Sequence, residues 1–88
     1  MSIEIRKMSM GEAIERGITK WPVWEKGVSR FEWTYDETEE CYFLEGEVVV
    51  ETKDGNYTIK AGDFVRFPAG LTCVWDIKSK VKKHYNFP

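Results

Sequence analysis

Turn-forming residues punctuate the second half of this chain so closely that only short extended segments fit between them. Asp54-Gly55 separates residues 47–52 from 57–60 and reads as a hairpin turn. Ala61-Gly62-Asp63 and Pro68-Ala69-Gly70 then bracket residues 64–67, and residues 71–77 and 81–87 complete the run. Strands recurring about every eight to twelve residues predict a sandwich or barrel, and closing a small antiparallel sheet removes its exposed edges. One helix is readable before them. Ser9 with Glu12 forms a capping-box pattern, and residues 10–16 end at Gly17, the residue type best suited to a left-handed exit. The expected class is all-β with one short N-terminal helix.

Eighty-eight residues make a single domain, with residues 1–20 as N-terminal strand and helix and residues 21–88 as the barrel. A chain of this size buries about 60–65% of its unfolded surface, which leaves no room for a second core. Formal net charge is −2, and Lys and Arg are scattered among Asp and Glu, so no basic stripe exists for a nucleic-acid backbone. No apolar run reaches the roughly 18–20 residues of a membrane span, and residues 1–7 lack the apolar stretch of a secretory signal. No membrane partner and a cytoplasmic location are expected. Two cysteines, Cys41 and Cys73, are too few for a disulfide framework and are expected as thiols.

Two glycine-anchored patterns carry the functional information. The first runs from Gly27 through five residues to Trp33-Thr34-Tyr35, then three residues to Glu39 and six to Gly46. The second runs from Gly62 through five residues to Pro68-Ala69-Gly70, then two to Cys73 and three to Ile77. In every interval this resembles the paired motifs of the cupins, G-x5-H-x-H-x3-E-x6-G and G-x5-P-x-G-x2-H-x3-N. Trp33, Tyr35 and Cys73 stand where those motifs place histidines, so Glu39 alone matches the metal-ligand set. The stretches Lys20-Trp21-Pro22-Val23-Trp24, Phe31-Glu32-Trp33-Thr34-Tyr35 and Cys41-Tyr42-Phe43-Leu44-Glu45-Gly46 look like the small single-domain cupins grouped with ureidoglycine aminohydrolase, as do the segment from Phe67 to Asp76 and Lys83-His84-Tyr85-Asn86-Phe87. That resemblance implies a jelly-roll β-barrel and a homodimer. It does not carry over the aminohydrolase activity, whose ligand set is absent.

Side chains two apart on a strand share a face. Glu39, Cys41 and Phe43 therefore lie together, as do Trp33 and Tyr35 if extended, Cys73 with Trp75 and Ile77, and Val81 with Lys83, Tyr85 and Phe87. The motif register places the Glu39 and Cys73 sets inside. The mouth is then walled by Trp33, Tyr35, Phe43, Trp75 and Tyr85, with Glu39, Cys41, Cys73 and Lys83 as its polar groups. His84, at the opposite parity from Tyr85, is expected on an exposed or edge position.

A catalytic cupin metal needs three or four N or O donors. Glu39 and Cys73 are the two plausible ligands here, because an indole N–H has no lone pair to offer and a tyrosine binds only after losing a proton held to about pH 10. No cofactor is expected, and at most a weak divalent-metal site at those two residues. Without a metal, Glu39 must be paired or hydrogen-bonded. Either Lys83 turns inward and takes the cation's place, or Lys83 reaches solvent and Tyr35 or backbone donors satisfy the carboxylate. Cys73 lacks the histidine or positive field that activates a thiol, so no catalytic residue is assigned.

The sequence thus points to a cupin with a degenerate metal site that binds a small planar aromatic or phenolic molecule. The alternatives are a metal-dependent enzyme of aminohydrolase or dioxygenase type using Glu39 and Cys73, and a structural dimeric module. Tyr42 and Leu44 lie on the face of their strand opposite the pocket, and Ile3, Ile5, Trp21 and Trp24 add apolar surface. One 88-residue barrel is not expected to cover all of it, so a second chain is.

Overall fold

Two long strands organise the computed structural model, which describes residues 2–88; Met1 lies outside the described residues. In chain order the elements are β1 (Glu4–Lys7), α1 (Met10–Glu15), a 3-10 turn (Ile18–Lys20), β2 (Val23–Lys26), β3 (Ser29–Thr34), β4 (Glu39–Thr52), β5 (Gly55–Lys60), β6 (Asp63–Phe67) and β7 (Thr72–Asn86). Antiparallel β4 and β7 form a shared spine. The first part of β4 pairs with β6, which carries β1 on its other side, while the second part pairs with β5. β7 pairs with β3 through its first half and β2 through its second.

The spine is bent where its register slips between Phe43 and Val48. Extra residues in one strand sharpen twist and bend, and here they also shift which parity faces inward. Glu39, Cys41 and Phe43 are buried before the bend, and Val48 and Val50 after it. Gly46 sits at this point with φ +93°, and a Cβ there would lie 2.1 Å from the Lys80 carbonyl oxygen. Only glycine lets the two backbones meet so closely. The folded-over sheet encloses Phe43, Val48, Val50, Ile59, Val65, Phe67, Ile77 and Val81, each at most 1% exposed. A fully buried side chain of this kind contributes about 1.5–3 kcal/mol.

The all-β class with one short N-terminal helix is the one present, its seven strands joined in a single antiparallel sheet folded upon itself. Finer expectations are corrected. Residues 71–77 and 81–87 are not separate strands: β7 runs through Lys78-Ser79-Lys80, whose polarity reflects exposure rather than a break. The helix ends at Glu15, with Ser9 Oγ accepting from the Glu12 amide at 3.1 Å and Gly17 at φ +75°. The Glu12 carboxylate instead holds Arg6 and Arg16.

A second small core also exists, contrary to the size argument. Met8, Ala13, Ile18 and Tyr42 are buried together, with Trp21, Leu44 and Phe64 packed against them. The Tyr42 hydroxyl donates to the Met8 carbonyl at 2.9 Å. The chain's own N-terminal segment thus covers the outer face of β4 that seemed to need a partner. Ile3 joins the main core, β1 pairs with β6 of the same chain, and Trp24 packs on the main core. His84 is buried rather than exposed, with Nδ1 2.9 Å from the Trp21 carbonyl oxygen.

Candidate functional site

β4 and β7 lie side by side so that Phe43 and Lys83 are register partners, and Trp24 of β2 faces Lys83 from the other side. Alternation from Phe43 brings Cys41 and Glu39 to the same face. Lys83 is only 5% exposed, and its Nζ lies 3.1 Å from Glu39 Oε2 and 3.1 Å from Cys41 Sγ. Cys41 Sγ in turn donates to Glu39 Oε2 at 3.3 Å. Of the two arrangements open from sequence, the inward lysine is the one present. The ammonium also sits 4.9 Å from the ring centre of Trp75 and 5.0 Å from that of Trp24, with Phe43 and Phe67 at about 6 Å. Aromatic faces are electron-rich and attract a cation, most strongly where water is excluded.

Burial disfavours the charged form of Lys83, but Cys41 and Glu39 beside it outweigh this and hold its proton affinity above the ordinary lysine value. Burial pushes the Cys41 thiol up to about 12, with Lys83 opposing only in part. Cys41 is therefore a neutral thiol beside an ion pair. Burial likewise raises Cys73 to about 11 and raises Tyr35 above the usual phenol range.

Above the ion pair opens a cavity of about 600 Å³, lined by Trp24, Lys26, Phe31, Glu32, Trp33, Tyr35, Glu39, Trp75, Lys83, Tyr85 and Phe87. Trp75 is its centre. Phe31 and Phe43 stack on it at 6.2 Å, and Trp24 meets it edge-on at 5.8 Å. Its indole N–H donates to the Tyr35 hydroxyl at 3.1 Å, while the Tyr35 ring stacks on Phe67 at 4.8 Å. Trp33 and Phe87, each about half exposed, form the rim.

Six of the residues expected from sequence line this cavity: Trp33, Tyr35, Glu39, Trp75, Lys83 and Tyr85. Cys41, Phe43 and Cys73 do not. Cys41 and Phe43 lie beneath the floor, sealed by Lys83 and Trp75, and Cys73 is buried in the main core. Phe87, on the same face as Lys83 and Tyr85, is an additional lining residue, and Trp24, Lys26, Phe31 and Glu32 were hidden in the sequence because β2 and β3 reach the site through pairing with a distant strand. Alternation alone, Trp24 with Lys26 and Phe31 with Trp33, was the available signal. Among the described residues no three His, Cys, Asp or Glu side chains cluster as metal ligands, and no helix is long and apolar enough to cross a membrane.

A family model for the EutQ-like cupin domain matches residues 14–85. Among solved structures, the chain is similar to a DUF861 family protein from Thermotoga maritima at 48% identity and TM-score 0.92, covering 99% of this chain and 100% of that one. A DUF861 family protein from Pseudomonas syringae pv. tomato is 28% identical over 72% of this chain and 28% of its own, with TM-score 0.65. The EutQ protein of Clostridium difficile shares the fold at 14% identity and TM-score 0.69, over 98% of this chain and 68% of its own. No curated protein matches the chain.

Proposed function

The chain belongs to the EutQ-like cupin family, and on that scaffold we propose that it binds a small planar aromatic or phenolic molecule in the mouth of its folded sheet. One observation carries this reading: a cavity of about 600 Å³ lined by seven aromatic side chains, with the buried Glu39 and Lys83 at its floor and the exposed Lys26 and Glu32 nearer solvent. Pockets for small molecules are typically apolar with a few placed polar groups, and this one has the size for a ring system. Trp24, Phe31 and Trp75 offer faces and edges for stacking, and Glu39 offers a carboxylate oxygen.

The donors present do not fit the metal of other cupins. Trp33 and Tyr35 replace two imidazoles, and Cys73 lies apart from the cavity with its proton held by burial. Glu39, the one matching ligand, faces the Lys83 ammonium at 3.1 Å. A second cation beside that ammonium meets repulsion at short range in a region shielded from water. The proposal is thus for binding without a resident metal, in which the lysine supplies the positive charge.

Four tryptophans make the protein its own reporter. Planar aromatic compounds are expected to quench its emission saturably, and aliphatic molecules of equal size are not. Equal responses from the two classes, or saturable quenching that survives replacement of Trp24, Trp33 and Trp75 together by Phe, overturn the proposal.

A further inference from the structure

Glu39 spends only one of its oxygens on the protein. Oε2 takes both Lys83 Nζ and Cys41 Sγ. Oε1 takes no hydrogen bond from any described residue, and it is absent from the buried atoms that lack a partner, which places it against the cavity that Glu39 lines. Tyr35 is left in the complementary state. Its hydroxyl oxygen accepts the Trp75 indole proton at 3.1 Å, but its own proton has no acceptor among the described residues. Both residues are more than nine-tenths buried, Glu39 at 7% and Tyr35 at 3% exposure, and both line the same cavity. One open acceptor and one open donor thus belong to residues that line the same cavity.

Buried polar groups are ordinarily satisfied, and an unfilled hydrogen-bonding position in a chamber walled mainly by aromatic rings selects strongly for a molecule that fills it. Lys83 narrows the choice further. Its ammonium is already engaged by Glu39, Cys41 and the surrounding rings, so it fixes Glu39 rather than calling for an anion. A negatively charged aromatic acid meets the open lone pairs of Oε1, whereas a neutral O–H or N–H donates to them.

Resting on the aromatic-pocket reading above, we infer that the ligand is a neutral planar ring that gives a proton to Glu39 Oε1 and accepts one from the Tyr35 hydroxyl through a single edge. Two chemistries share that property. One phenolic O–H can do both, and the adjacent N–H and C=O of a cyclic amide can divide the task. Burial keeps the Tyr35 proton in place at neutral pH, so the donor is present when the ligand arrives.

Calorimetric titration of the unmodified protein with five bicyclic probes tests this. 2-Naphthol and 2-quinolinone carry the complete edge, coumarin replaces the ring N–H of quinolinone by oxygen, naphthalene carries neither group, and 2-naphthoate carries an anion. At least one of 2-naphthol and 2-quinolinone is expected to bind about tenfold or more tightly than its counterpart, naphthalene or coumarin, and than 2-naphthoate. The better of the two identifies whether a single hydroxyl or a cyclic amide fits. Tyr35→Phe is expected to shrink severalfold the margin by which that probe exceeds its counterpart; if that variant does not fold, the probe series decides alone. Equal affinity for all the neutral rings, or tightest binding of 2-naphthoate, overturns the edge inference while leaving an aromatic pocket. Binding by none of them removes both.

Discussion

Lys83 and Trp24 face each other across the β2–β7 ladder, and the lysine's ammonium nitrogen lies 5.0 Å from the indole ring centre. The pairing draws a charged side chain, only 5% exposed, into an aromatic enclosure that also holds Glu39. The ion pair and the ring cage are therefore one unit, and removing either member leaves the other poorly solvated.

Lys83→Met should leave Glu39 buried without its cation and cost about 3–5 kcal/mol in urea unfolding. Adding Glu39→Gln should recover most of that loss, because the remaining groups are neutral. A single variant as stable as the original protein argues against the pair as drawn.

Alkaline pH should destabilise the fold. The Cys41 proton is held to about 12 when folded against a reference of 9.0, so the unfolded chain releases it first. The contribution is complete below pH 9 and is lost as pH rises towards 12, at up to about 1.4 kcal/mol per pH unit. Lys83, also raised, acts with the same sign above its ordinary value of 10.5. Urea midpoints at pH 7, 9, 10 and 11 should fall progressively, and Cys41→Ala should fall less over the same range. Parallel declines for the two proteins remove the thiol as the cause.

Gly46→Ala should be among the most damaging single changes, costing about 4 kcal/mol or more, since the added carbon meets the Lys80 backbone at 2.1 Å and φ is +93°. Gly55→Ala, with φ +134° but open space around it, should cost less. Thermal unfolding of the two variants ranks them directly.

Self-association is the fourth expectation, and its basis has moved. The outer face of β4 is covered by the chain itself, but Met10 and Ile14 remain about half exposed one turn apart on α1. We propose that a homodimer forms over this helix, with light scattering at micromolar concentration returning twice the chain mass. Ile14→Lys should then restore the monomer; a monomer before the substitution refutes the proposal.

The floor and much of the wall were legible because motif spacing and period-two alternation are local properties. Glu39, Lys83, Trp75 and Tyr35 all fall where those rules place them. Trp24 and Phe31 were not assigned to the pocket, since their positions follow from pairing with β7, which lies far along the chain. The sealing of Cys41 and Phe43 was equally hidden. Alternation says which face a side chain takes, but depth beneath that face depends on Lys83 and Trp75 closing over it. The second small core escaped notice because the N-terminal helix had no visible docking partner until Tyr42 supplied one.

The unbroken course of β4 and β7 through both parts of the folded sheet bears on how the molecule comes apart. Neither part owns its strands: Val48 and Cys41 lie on β4, and Trp75 and Lys83 on β7. Opening one part strips hydrogen bonds from the spine that supports the other, so the two should unfold as a single cooperative unit. Amide hydrogens of Val48 and Val65, in different parts of the sheet, should accordingly exchange with the same free energy of opening. The short edge strand β2 stands outside that unit, so release of Trp24 is the opening that would uncover the floor without unfolding the spine.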